Sequence, residues 1–143
     1  MKHTIKLCFV ALALQACQNA GEYKSIRKEV LNAHDKIMLD GEIAVRYRMK
    51  LDTVSAAMDS LKKANVIADV QAERRQISTL QTKLDSADEL MTDWMHNFKV
   101  ELPGKSNEEQ AGYYKNEQRK IKRMDSLFQV AIKESESYLL RLK

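Results

Sequence analysis

Apolar residues recur along the chain with a seven-residue beat. Tyr23, Val30, Ile37, Ala44, Leu51 and Met58 lie seven apart, and Ile26, Ala33, Asp40, Tyr47, Val54 and Leu61 follow each by three. This is the a/d pattern of helices that pack side by side. A second segment continues it with Val70, Ile77, Leu84, Met91 and Phe98, joined by Leu80, Ala87 and Trp94, while Glu73 interrupts. A third carries Tyr114, Ile121, Phe128, Ser135 and Leu142 with Glu117, Met124, Ala131 and Tyr138. Of these 30 positions 26 are apolar, against about 13 expected from a chain that is 44% hydrophobic, so the stripe dominates the sequence.

The phase of the stripe locates its breaks. Met58 and Val70 are twelve apart, which is not a multiple of seven, so the pattern resets between Leu61 and Val70. Ala64-Asn65-Val66 is the natural turn, because Asn tolerates the left-handed conformation that ends helices. The second reset falls at Leu102-Pro103-Gly104-Lys105-Ser106-Asn107, where Pro and Gly interrupt and Ser106 or Asn107 caps the next helix. Glu108 and Glu109 then suit the positive end of its dipole. Gly41 lies inside the first segment, but Ile37, Ala44 and Leu51 keep phase across it, which predicts a mild kink or a close helix crossing rather than a break.

The expected helices therefore run near 22–63, 67–100 and 107–142. Each has one apolar stripe and needs partners. The pattern predicts an all-α fold, an antiparallel up-down-up three-helix bundle with coiled-coil-like heptads. A homo-oligomer completing a larger bundle satisfies the same stripes. With 4 Gly, 1 Pro and 6% aromatics, the chain is poor in what sheets and their turns require.

The first residues follow a different pattern. Met1-Lys2-His3-Thr4-Ile5-Lys6 is basic, Leu7 to Leu14 is apolar, and Leu14-Gln15-Ala16-Cys17 follows. A basic start, about eight apolar residues and a small residue at the cut describe a secretory signal, whereas a membrane span needs about 20. The last four residues resemble a bacterial lipobox. That resemblance implies acylation of Cys17, cleavage before it, and a membrane anchor of two or more acyl chains. The expected organisation is a signal peptide over 1–16, a lipidated tether over 17–22 and a helical bundle over 23–143. Cys8 leaves with the signal, so no disulfide is expected. Cleavage also removes Lys2 and Lys6, leaving 22 Lys and Arg against 20 Asp and Glu, a net charge of only +2. That balance, in an exported protein, argues against nucleic acid as a partner.

Little else points to chemistry. Asp93-x-x-His96 has the spacing of two ligands on one helix face, but a bundle metal centre draws on several helices, so no metal or cofactor is expected. There is no Gly-rich phosphate loop and no nucleophile elbow, and the chain is not expected to be an enzyme. Met38, Met49, Met58, Met91, Met95 and Met124 offer an adaptable binding surface or, for Met58, Met91 and Met124, seam filling. Arg119-Lys120-Ile121-Lys122-Arg123 reads as a solvated face around a core Ile121, or as a contact for anionic head groups. Trp94 and Phe98 form the densest aromatic spot. They are core if they face the seam and a partner anchor if they do not.

Two stretches, Val30 to Ile43 (VLNAHDKIMLDGEI) and Ser86 to Lys99 (SADELMTDWMHNFK), resemble segments of small bacterial lipoproteins labelled "viral A-type inclusion protein". The matching positions are His34, Asp35, Met38, Gly41 and Glu42, then Ala87, Asp88, Glu89, Met91, Asp93, Trp94 and Met95. The resemblance implies an envelope lipoprotein and assigns no catalytic residue. Together with the aromatic spot, it marks Asp88, Asp93, Trp94 and Phe98 as an interaction or core signature. The expected function is a lipid-anchored structural or protein-interaction module of a Gram-negative envelope, on the outer membrane facing the periplasm, with an envelope protein as partner. A periplasmic client- or ligand-binding (holdase-like) helical protein is the alternative.

Overall fold

The computed structural model describes the backbone of residues 2–142 and the side chains of residues 21–142. Its helices are α1 (Lys2–Ala56), α2 (Met58–Lys63), α3 (Val70–Asn97) and α4 (Asn107–Arg141), with no strand among the described residues. The chain is all-helical. The expected signal peptide and the acylated Cys17 lie outside the residues whose side chains are described. The chain divides into two compact units, residues 1–34 with 98–121 and residues 35–97 with 122–143.

Helix ends follow local chemistry. Helix α1 passes through Gly41 unbroken, and a Cβ added there would meet nothing within 4 Å, so the glycine does not serve a close crossing. The helix expected to reach residue 63 instead breaks at Ala57. The Ala57 amide donates to both Thr53 O (3.2 Å) and Val54 O (3.0 Å), and a ψ of 5° takes the backbone out of α geometry. Helix α2 ends as Asn65 predicts. Asn65 has φ 59°, its amide donates to Lys62 O, and the Val66 amide donates to Leu61 O, the paired bonds of a Schellman motif.

Helix α3 begins at Val70 rather than near 67, because Asp69 caps it. Asp69 Oδ1 accepts from the amides of Gln71 (2.8 Å) and Ala72 (3.0 Å). The bond from Ala72 is the main reason that its carboxyl sits below the usual value. The helix also ends at Asn97, short of 100. Beyond it, the Lys99 amide donates to Tyr113 Oη (2.8 Å), and Val100 O accepts from Tyr114 Oη (2.8 Å). Tyrosine hydroxyls thus satisfy backbone groups that the helix would otherwise have used. Gly104 takes φ 77°, and Ser106 and Glu109 then form a reciprocal capping box: Ser106 Oγ accepts from the Glu109 amide and the Glu109 carboxylate from the Ser106 amide.

In the first unit, Val30, Ala111, Tyr114, Glu117 and Ile121 are buried. Tyr23 stacks on Tyr114 at 6.4 Å, and Gln118 donates to Glu29. In the second unit, Ile37, Ala44, Leu51 and Met58 from α1 and α2 pack with Ile77, Leu84 and Met91 of α3, and with Met124, Phe128 and Ala131 of α4, all buried. Burying a side chain of the larger types among these contributes about 1.5–3 kcal/mol. The companion series of α1 is only half-buried.

Polar pairs show how the second unit's helices run. Lys36 meets Asp125, Gln129 donates to Asp40, and Tyr47 interacts with Glu136. Each pair is 89 positions apart, so this part of α1 and the end of α4 advance in the same sense. Arg48 pairs with Asp85 (2.7 Å) and Gln81 with Asp52 (2.6 Å), numbers that climb on one helix and fall on the other, so α3 runs against α1.

Candidate functional site

The site with the clearest geometry is an open groove of about 660 Å³ in the second unit. Val54, Ala57, Leu61, Leu139 and Leu142 form its apolar lining, and Tyr47, Lys50, Glu136 and Leu140 stand beside them. Its position follows from the helix seams. Higher on the same α1–α4 face the half-buried positions are polar, and Lys36, Asp40, Asp125 and Gln129 bind one another across it. From Tyr47 onward the equivalent positions are Val54 of α1 and Leu61 of α2, apolar side chains that make no polar bond across the seam. Leu140 is left 55% exposed.

The electrostatics of the groove are simple. Burial raises the pKa of Tyr47, and Glu136 adds to the rise as a nearby charge and hydrogen-bond partner. Lys50 Nζ lies 5.0 Å from the centre of the Tyr47 ring, a cation–π distance. Neither Lys50 nor Glu136 makes an ion pair among the described residues. The groove thus combines an apolar lining with a cation and an anion on opposite helices.

The chain has no matching protein family, curated protein or solved structure.

The residues singled out by sequence do not gather at the groove. Asp88 and Asp93 are exposed on α3, and Asp93 O accepts from Asn97 Nδ2 (2.7 Å). Trp94 is 7% exposed and belongs to the core of the second unit. Phe98 belongs to the first unit, half-buried against Tyr113 and Tyr114 with ring centres 6.2 and 6.4 Å away. His96 is exposed with its ring Nδ1 2.9 Å from Thr92 O, and among the described residues no group of three or more His, Cys, Asp or Glu is placed to hold a metal ion. Among the methionines, Met58, Met91 and Met124 are buried in the seam while Met38, Met49 and Met95 are exposed. In the basic run, Ile121 is fully buried, Arg119 bonds Asn116 and Lys120 bonds Glu117. No helix among the described residues is long and apolar enough to cross a membrane.

Lys50, Glu136 and Leu140 were not legible as site residues. The available signal was Tyr138-Leu139-Leu140-Arg141-Leu142, which is richer in apolar residues than one seam uses.

Proposed function

We propose that the chain is a lipid-anchored helical protein of a Gram-negative envelope, acting as a structural or protein-interaction module. In this reading it is an up-down-up three-helix bundle behind a cleaved signal peptide, held through an acylated Cys17 at the outer membrane and facing the periplasm. The observation that carries the interaction role is the open groove, whose exposed Leu140 and half-buried Val54 and Leu61 gain from being covered. Leu14-Gln15-Ala16-Cys17, directly after an apolar run, supports the anchor, and so does the resemblance of Val30–Ile43 and Ser86–Lys99 to bacterial lipoproteins. Catalysis has no part in the proposal.

The anchor is tested by Cys17→Ser, which should move the protein from the membrane to the soluble fraction. Unchanged fractionation refutes it. The groove also favours a second reading, a client- or ligand-binding protein of the periplasm. That reading requires binding of an apolar dye together with suppression of client aggregation, and absence of both eliminates it.

A further inference from the structure

We infer that the groove between Tyr47 and Leu142 is the seat of a second copy of this chain, related to the first by a two-fold axis running along α1 and α4. The argument begins with the charges. Lys50 is on the α1 side of the groove and Glu136 on the α4 side, and neither has an ion-pair partner among the described residues. A two-fold axis parallel to the helices places α1 of one copy against α4 of the other. Lys50 of each copy then faces Glu136 of its mate, twice, by symmetry.

The register permits this. By the 89-position offset, Lys50 stands level with Leu139, and Glu136 lies three residues earlier, about 4.5 Å along the axis, within reach of a lysine side chain. Just past the two charge pairs, Val54 of one copy stands about level with Leu142 of the other, with Leu139 one turn away, so apolar side chains meet there. The paired chains enter the interface from the same end, the arrangement that two tethers on one bilayer require. The patch is smaller than the roughly 20–30 residues a side of a standard stable interface, so the association is weak and gains from confinement to a membrane.

This names a partner for the interaction role proposed above, and its test does not touch Cys17, so failure of the pairing and failure of the anchor are separate results. Two differently tagged copies of the full chain are produced together in the same cells and crosslinked with a zero-length amine–carboxyl reagent. One tag is then pulled down and the other quantified. The wild-type pair should be recovered, with a Lys50–Glu136 crosslink in the dimer band. Lys50→Glu with itself, or Glu136→Lys with itself, should lower recovery by about tenfold or more, because like charges then face each other. Lys50→Glu produced with Glu136→Lys should restore it, since only between copies do those two changes make opposite charges meet. Helical circular dichroism of each purified variant guards against misfolding. Absence of a wild-type dimer, recovery unaffected by the single reversals, or no restoration in the mixed pair overturns the proposal. A monomer that takes up a fatty acid in the groove also overturns it, in favour of a small apolar ligand.

Discussion

Ser135 offers a test of the packing. It occupies a seam position of α4 between Ala131 and Tyr138, is 0% exposed, and its Oγ has no hydrogen-bond partner among the described residues. A buried hydroxyl without a partner costs roughly 1–3 kcal/mol. Replacing it by alanine removes that cost and adds up to about 0.5 kcal/mol of helix propensity. The oxygen-sized void left behind subtracts only about 0.3 kcal/mol at the usual dependence on cavity volume. Ser135→Ala should therefore stabilise the protein by about 1–3 kcal/mol, with Tm rising by roughly 3–10 °C for a chain of this length. Urea unfolding followed by circular dichroism should show the midpoint moving up with an unchanged slope. The reverse change one turn earlier, Ala131→Ser at a site 1% exposed, should cost a comparable amount. If Ser135→Ala proves destabilising by about 1 kcal/mol or more, the hydroxyl is satisfied in the folded protein and the reasoning fails.

Three further outcomes follow from the same description. Tyr138 is held well above the ordinary phenol value of 10.0, first by burial and then by Glu73, so the folded protein keeps a proton that the unfolded chain loses. Its contribution is complete below about pH 10 and declines as pH climbs past it; alkaline unfolding should begin there and be blunted in Tyr138→Phe, and equal pH dependence of the two proteins would contradict this. Asn65→Val, which forces a β-branched residue into φ 59°, should destabilise by about 1–2 kcal/mol, whereas Asn65→Gly should be nearly neutral in the same urea assay. Gly41→Ala, at an unbroken helical position with open space for the new methyl, should raise stability by about 0.5–1 kcal/mol, and a loss would indicate a constraint at that turn.

The sequence was most informative where a single physical rule decides. The seven-residue series Val30, Ile37, Ala44, Leu51, Met58 is buried throughout, and even the polar members of the α4 stripe, Glu117 and Ser135, are buried where the phase puts them. Asn65 turns left-handed and Ser106 caps because each has a short-range reason to do so. What escaped depends on competition. The break at Ala57 falls among good helix formers, with neither Gly nor Pro to announce it. The early end of α3 depends on Tyr113 and Tyr114 hydroxyls fourteen positions away in sequence. The groove was hidden for another reason. Periodicity tells which residues point inward on each helix, but not where the polar staples between two helices give out. Asp40 and Tyr47 hold the same place in the repeat, yet one is closed over by Lys36 and Gln129 and the other opens onto Val54 and Leu61.

The constant spacing of Lys36–Asp125, Asp40–Gln129 and Tyr47–Glu136 also bears on how such a chain can vary in length. One residue inserted into α1 between Lys36 and Tyr47 would rotate everything after it by about 100° and carry Ala44 and Leu51 off the inner face. Every later cross-helix pair would miss its mate. Length changes within the helices are therefore tolerable only as whole repeats made in concert, while the stretches at 64–69 and 98–106 can take single insertions at points that spare the bonded residues Asn65, Asp69, Lys99, Val100 and Ser106. Natural variants that differ in length should carry their differences in those two connections.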